Sequence, residues 1–218
     1  MRNVLRIVLA SWTTLALAAP LTAQTGTPDP GKGISLSPYF GVLVPTADLF
    51  NYQNGGETEV TKLSIGLVVG GRLGIGFGSR VSLEADVGYS PGSLDLQEST
   101  SDFNQDVTTL TGSGKLTFYL IPRTSPVWIG VSGGVGAVKH TLKVGGAAEL
   151  AGLTGGTDVG GVVGARAGFR LGRLVALTAG VDDYLYTAKF SAEGSQTSEE
   201  KQHDIHFTFG VRLPFLGF

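Results

Sequence analysis

The sequence predicts an all-β fold, specifically an eight-stranded antiparallel up-and-down transmembrane β-barrel. Most of the chain alternates between apolar residues and small or polar residues, a period of two that is typical of strands with two different faces. The alternating segments run for about 10–15 residues, longer than the mode of about 5–6 in soluble sheets and long enough for a tilted transmembrane strand, which needs about 9–11. Short turns and long loops connect these segments in alternation.

Composition narrows the class of protein further. The 218 residues include 34 Gly and no Cys, with 42% hydrophobic and 16% charged residues and a net charge of −2. The apolar content excludes a disordered chain. The lack of Cys excludes disulfides, Cys-ligated metals and a lipidated N-terminal Cys. The near-neutral charge argues against nucleic acid as a partner, since a nucleic-acid-binding protein presents a strongly basic face.

The N-terminal segment predicts export. Arg2 and Arg6 precede an apolar stretch at 7–19, and small residues follow it, as in a secretory signal peptide cleaved between Ala18 and Gln24. A membrane-anchoring helix is the alternative, but the apolar run is shorter than the roughly 20 residues that span a bilayer. The predicted organisation is a signal peptide at 1–23, a short periplasmic lead-in at 24–32 and a barrel domain at 33–218.

Alternation defines the strands in order. The clearest example begins at position 62, where odd positions such as Leu67 and Leu73 are apolar and even positions such as Gly70 and Arg72 are not. The eight predicted strands are 33–44, 62–77, 81–90, 109–120, 127–139, 159–171, 174–186 and 204–215. The predicted short turns are 78–80, 121–126 and 172–173, and the predicted long loops, each of about sixteen residues, are 45–61, 91–106, 140–157 and 187–203.

The non-apolar face is predicted to point into the barrel, because the apolar face must lie in lipid. Eight strands enclose only enough room for side chains, so this inward face is crowded. Gly on that face relieves the crowding. The face also carries six cations and five anions, namely Lys62, Arg72, Lys115, Arg166, Arg170, Arg212, Glu84, Asp86, Asp158, Asp182 and Asp204. The turn at 78–80 places Arg72 opposite Asp86, and Arg166 lies one diagonal step from Asp182. Since buried charges persist only when paired, we predict an ion-pair network that plugs the barrel, rather than the wet channel of larger porins.

Two Gly-rich and aromatic segments carry a family resemblance. The segment 126–136 is similar to the Gly-rich strands of the small outer-membrane β-barrel family, which includes the OmpA transmembrane domain, OmpX and OmpW-type proteins. The C-terminal segment 207–218 resembles the signal read by the barrel-assembly machinery, with Phe207, Phe209, Phe215 and Phe218 as its aromatic residues. Pro214 departs from that pattern and is predicted to end the last strand near Leu213, because Pro cannot donate to a β-ladder.

The resemblance implies a location and a set of partners. It places the protein in the cell outer membrane as a monomer, with both termini periplasmic and the long loops outside. The implied partners are outer-membrane lipids including lipopolysaccharide, and the barrel-assembly machinery.

Motifs for catalysis or cofactors are weak, so we expect no enzyme activity, cofactor or metal. The Gly strings at 74–78 and 160–168 lack the strand-to-helix context of a nucleotide site. His203 and His206 point to opposite faces of a strand, which prevents a shared metal. His206 with Thr208 and Asp204 is the one triad-like set, and we interpret it as an interior polar cluster in preference to a catalytic site.

The remaining features concern the surface. The aromatic residues near strand ends, Trp128, Tyr89, Phe118 and Phe169, are predicted to form interfacial girdles. The first two long loops contain seven acidic residues and no Lys or Arg. This pattern favours a solvated face, and the alternatives are divalent cations that bridge to anionic lipid or a basic ligand.

The functional hypothesis is therefore a structural or surface-interaction role. The alternatives are a narrow porin-like channel for small or apolar solutes and a lipid-modifying barrel enzyme. A soluble lipocalin-like barrel is a further alternative, in which the apolar face would point inward.

Overall fold

The computed structural model describes residues 31–46, 50–54, 57–96, 103–142, 156–172, 175–190 and 198–216. The predicted signal peptide lies outside these residues. The described residues form strands and connecting turns, and none belongs to a helix long and apolar enough to cross a membrane. The strands are β1 Lys32–Pro45, β2 Phe50–Asn54, β3 Glu57–Leu63, β4 Gly66–Phe77, β5 Val81–Leu96, β6 Phe103–Ile121, β7 Val127–Leu142, β8 Thr157–Arg170, β9 Ala176–Phe190 and β10 Ser198–Leu216.

Eight of these strands close into one antiparallel barrel in the order β1, β4, β5, β6, β7, β8, β9, β10. The barrel closes because β10 pairs back with β1, where Phe209 lies beside Phe40. Each barrel strand pairs with the next barrel strand along the chain, which is an up-and-down topology. The predicted eight-stranded antiparallel barrel is confirmed.

The two faces of the wall differ as the period of two predicts. Leu67 is 71% exposed on the outside, whereas the next residue, Val68, is 1% exposed on the inside. Leu83 and Glu84 show the same contrast with an apolar side chain outside and a charged one inside. The alternative of a soluble lipocalin-like barrel is wrong, because that fold requires the apolar face inside.

The four aromatic residues predicted to form girdles should point outward from the wall, and three of them do. Tyr89, Phe118 and Phe169 lie on the outer face. Trp128 instead faces the interior at 1% exposure and makes an edge-to-face contact with Tyr119, with ring centroids 5.4 Å apart. Its register partner on β8 is Gly168, and the indole occupies the space that a Cβ at Gly168 would need.

The connections at the long-loop end contain more strand than predicted. The predicted loop 45–61 contains the hairpin β2–β3, and β3 pairs with the far end of β5. The predicted loop 91–106 is mostly ladder, since β5 and β6 stay paired out to Leu96 and Phe103. Beyond a bilayer both faces of a hairpin meet water, so its strands need no apolar alternation and the sequence pattern misses them.

The predicted second strand, 62–77, is also interrupted. β3 ends at Leu63 and β4 begins at Gly66. Lys62 therefore lies in β3, where its backbone pairs with Asp95 in the hairpin extension rather than in the barrel wall. Its side chain lies outside the described part of the structure.

The opposite end of the barrel has tight turns. Gly78, between β4 and β5, has a φ of 123°, in a region that L side chains rarely adopt. The prediction that Pro214 ends the last strand is wrong, since β10 continues to Leu216. Pro214 pairs with Ser35 and the register shifts between Ile34 and Ser35, so a bulge accommodates the missing N–H. Because Lys32 pairs with Phe77, both ends of the described chain lie at this short-turn end.

Candidate functional site in the barrel interior

The middle of the interior holds six charged side chains from five strands. We call this set the ion network, and it consists of Arg72 on β4, Glu84 and Asp86 on β5, Lys115 on β6, Arg166 on β8 and Asp182 on β9. Each projects inward because it occupies the inward position of its strand. All six are buried, with between 1% and 7% of each residue exposed.

Arg72 connects neighbouring and opposite strands. Its Nε donates to Asp86 Oδ2 at 2.6 Å across the β4–β5 ladder, where the two residues are register partners. Its Nη2 donates to Asp182 Oδ2 at 3.0 Å on the far side of the lumen. The predicted placement of Arg72 opposite Asp86 is confirmed. The contact with Asp182 adds a bond between strands that are not neighbours in the wall.

Asp182 contacts all three cations of the ion network. Lys115 Nζ donates to its Oδ1 at 2.7 Å, and Arg166 Nη2 lies 3.9 Å from its Oδ2. Gly164 is the register partner of Asp182, so Arg166 lies one diagonal step away as predicted. A carboxylate with three cations around it compensates charges that would otherwise be costly in a dry interior.

Glu84 forms the second connection across the lumen. Arg166 Nη1 donates to Glu84 Oε2 at 2.6 Å. Glu84 Oε1 accepts from Ser82 Oγ and Tyr119 Oη, each at 3.2 Å. In the ring of eight strands β5 lies opposite β9 and close to opposite β8, so these bonds join two sides of the barrel.

Neutral side chains complete the hydrogen bonds of the ion network. Tyr39 Oη donates to Asp86 Oδ1 at 2.6 Å, and the guanidinium of Arg72 lies 5.2 Å from the centre of the Tyr39 ring. Sequence reasoning did not name Tyr39, although its inward position on β1 was a usable signal. The six charges sum to zero, three positive and three negative, so the described part of the network is electrically neutral.

Four other predicted charges lie away from the ion network. Asp158 and Asp204 are buried nearer the long hairpins, and Asp204 accepts a hydrogen bond from Tyr186 Oη at 2.7 Å. Arg170 lies at the short-turn end, where Nη1 donates to the Thr124 carbonyl at 3.2 Å. Arg212 has no carboxylate of a described residue within 4.0 Å. An inward position on a strand therefore predicts the face of the wall that a residue occupies, but not its height along the barrel axis.

A small cavity separates the ion network from the short-turn end. Its volume is about 10 Å³, which admits about one water-sized particle. Arg72, Glu84 and Arg166 line it from the network side, while Trp128 and Arg212 are among the residues on the short-turn side.

At the next level towards the long hairpins the interior contains a group of apolar side chains, although polar residues such as Thr111, His140 and Asp204 are buried in the same half. We call this level the apolar layer, and it consists of Leu43, Val68, Val138, Val162 and Tyr184, all at most 2% exposed. Val68 and Val162 each lie four residues along their strands from Arg72 and Arg166, respectively. The two levels are thus consecutive along the barrel axis.

The triad-like residues do not contact one another. Asp204 bonds to Tyr186, and Thr208 Oγ1 donates to the Gly180 carbonyl at 3.4 Å. His206 is 2% exposed, lies 4.8 Å from the Tyr184 ring between centroids, and its Nε2 has no hydrogen-bond partner. His203 is on the outer face, as predicted, beside Asp183 at 3.4 Å. Among the described residues no group of three or more His, Asp or Glu side chains could hold a metal ion.

The C-terminal aromatic residues are described in part. Phe207 and Phe209 point outward from β10, at 46% and 56% exposure. The side chain of Phe215 and the whole of Phe218 lie outside the described residues.

A closed barrel with an apolar exterior and a charged, filled interior defines a small transmembrane β-barrel protein. The model of the outer membrane protein beta-barrel domain family matches residues 11–212. The chain belongs to this family of outer-membrane barrels.

Solved structures share the fold at low sequence identity. OprG from Pseudomonas aeruginosa superposes with a TM-score of 0.59 at 12% identity, covering 84% of this chain and 97% of that one. AlkL, determined in DMPC lipid bilayers, gives 0.58 at 15% identity, with 88% and 94% covered. Neisserial surface protein A gives 0.53 at 11% identity, with 84% and 97% covered. No curated protein matches the chain by sequence.

Proposed function

We propose that this protein is a structural or surface-interacting component of the outer membrane whose interior is closed to solutes. The ion network is the observation that carries the proposal. Its bonds of 2.6 Å between Arg166 and Glu84 and 3.0 Å between Arg72 and Asp182 cross the lumen, where a channel would need open space. The adjoining cavity admits only about one water-sized particle.

Single-channel recording in planar bilayers tests this closure. The wild-type protein is expected to give no conductance steps. A double variant, Arg166→Ala with Glu84→Ala, removes one connection across the lumen without changing the net charge, and small steps are expected from it. Stable steps from the wild-type protein would contradict the proposal.

The orientation in the membrane is part of the same proposal. Both ends of the described chain lie at the short-turn end, which fits periplasmic termini with the long hairpins outside. Residues 1–23 are proposed to be a signal peptide. The mass of the protein extracted from outer membranes is expected to lack a segment ending between Ala18 and Gln24. An intact N-terminus would contradict export by cleavage.

Surface contacts are proposed for the long hairpins. Their acidic residues, including Glu57, Glu59, Asp95 and Asp106, are proposed to bind divalent cations that bridge to lipopolysaccharide. Calcium titration of the refolded protein is expected to raise its unfolding temperature. No change would leave the acidic residues as a solvated face only.

Assembly and oligomeric state follow from the family resemblance. The C-terminal segment with Phe207 and Phe209 is proposed to engage the barrel-assembly machinery. Deleting Phe218 is expected to lower the amount of folded barrel in the membrane.

The protein is also proposed to be a monomer. Sedimentation of the purified protein is expected to give the mass of one chain.

A narrow path for small apolar solutes is the second candidate, and the apolar layer favours it. Leu43, Val68 and Val162 place apolar side chains in the half of the interior nearest the long hairpins, beside buried polar residues such as Thr111 and His140. Uptake of a small apolar solute into vesicles that contain the protein would support this candidate. A catalytic role is not proposed, because His206, Thr208 and Asp204 each lie against different partners.

A further inference from the structure

The short-turn end of the barrel interior carries positive charge without compensating carboxylates. Between the ion network and this end the described residues include no Asp or Glu, while Arg123, Arg170 and Arg212 lie there and Lys32 and Arg80 are exposed at the same end.

Three of the arginines donate hydrogen bonds to main-chain carbonyls. Arg80 donates to the Leu120 carbonyl at 3.3 Å, and Arg123 to the Gly31 carbonyl at 3.0 Å. Arg170 donates to the Thr124 carbonyl. Arg212 differs, because it lines the cavity below the ion network and no carboxylate of a described residue lies within 4.0 Å. One positive charge in the wall of the cavity is therefore uncompensated.

Two buried donors at the same cavity lack hydrogen-bond partners. Trp128 Nε1 and Arg166 Nε are without an acceptor, in residues that are 1% and 7% exposed. Burying such a donor without an acceptor is unfavourable for a neutral group and more so for a charged one. The Glu84 carboxylate also lines the cavity, but its oxygens already accept from Arg166, Ser82 and Tyr119.

We propose that this cavity binds a single small inorganic anion of the halide class, chloride under physiological conditions. The anion would accept from Arg212, Trp128 and Arg166, and would balance the positive charge of Arg212, which the neutral ion network leaves uncompensated. The small cavity volume of about 10 Å³ favours a monatomic anion over the larger phosphate, sulfate and organic anions. This binding site is independent of the surface role proposed above.

Bromide provides a direct probe of the site. Crystals of the wild-type protein grown in sodium bromide are expected to show one anomalous peak inside the barrel, between Arg212 and Trp128. An ordered water there, or a cavity without the peak, would overturn the proposal.

Thermal unfolding tests the site in solution. At constant ionic strength, replacing gluconate by chloride or bromide is expected to raise the unfolding temperature by a few degrees and to saturate, because the ion binds the folded state only. Arg212→Gln is expected to abolish this halide dependence. Arg170→Gln is the matched control, since Arg170 has a carbonyl partner at the rim, and it is expected to keep the dependence.

Trp128→Phe is the second variant if Arg212→Gln fails to fold. It removes the indole N–H while keeping an aromatic ring, and it is expected to weaken the halide dependence without abolishing it. A halide effect that is unchanged in both variants would overturn the proposal. A bromide peak in crystals with no halide effect in solution would show an adventitious ion only, and would overturn it as well.

Discussion

The ion network and the apolar layer are consecutive levels of one barrel interior, yet they are stabilised in different ways. In the ion network each side chain depends on several others, as Asp182 does on Arg72, Lys115 and Arg166. In the apolar layer, side chains such as Val68 and Val162 are stabilised by removal from water and by close packing. The wall that carries both levels is the same set of strands.

This difference indicates which level of the interior determines the side-chain contacts across the lumen. Apolar packing tolerates exchanges that conserve volume, whereas a buried ion network fails when one partner is removed and a charge is left alone. The network therefore fixes which side chains meet across the lumen, and the apolar layer mainly fills space. Substitutions at the two levels should separate these contributions.

The largest effect is expected for Asp182→Ala, which leaves three buried cations without their shared carboxylate. Removing one partner of a buried ion pair costs about 3–5 kcal/mol, and we expect a loss of that order in the free energy of unfolding. Urea unfolding in lipid vesicles measures it. Asp183→Ala is the matched control on the outer side of the same strand, and a loss of less than about 1 kcal/mol is expected there. Equal losses at the two positions would contradict the special role of the network.

A smaller effect is expected from added bulk on the inner face of the wall. A Cβ at Gly160 would collide with the Leu185 carbonyl oxygen and lie 2.8 Å from the Cβ of Tyr186, whereas a Cβ at the next residue, Gly161, would meet nothing within 4 Å. Gly160→Ala is expected to destabilise by about 1–3 kcal/mol. Gly161→Ala should be neutral or slightly stabilising in the same urea experiment, so a ranking in the opposite order would refute this account of the inner wall.

Most of the fold could be predicted because the signal is local. Alternation such as Leu83 and Glu84 assigns each side chain to a face, and a tight turn fixes the register of adjacent strands. The pairing of Arg72 with Asp86 across the turn at Gly78 could therefore be predicted from the sequence. The hairpin β2–β3 could not be predicted in this way, because strands outside the bilayer need no apolar face.

The candidate site was harder to predict because it is formed across the lumen. The contacts of Asp182 with Arg72 and Lys115 depend on the relative heights of strands that are not neighbours, and no local pattern specifies those heights. Arg212 shares the inward parity of the network but lies at the short-turn end. For Trp128 the position near a strand end led to a wrong prediction of a membrane-interface residue. Its even position on β7, shared with the other inward residues of that strand, correctly indicates the interior.

The smallest effect is expected in the apolar layer. Val162→Ala removes two buried carbon atoms, and at about 0.8 kcal/mol for each it should cost about 1–2 kcal/mol plus a small cavity term. Val163→Ala is the control on the next residue, which is 49% exposed on the outer face, where lipid chains can occupy the released space. If Val162→Ala proves as costly as Asp182→Ala, the apolar layer is as cooperative as the ion network. The contrast between the two levels would then be one of chemistry and not of mutual dependence.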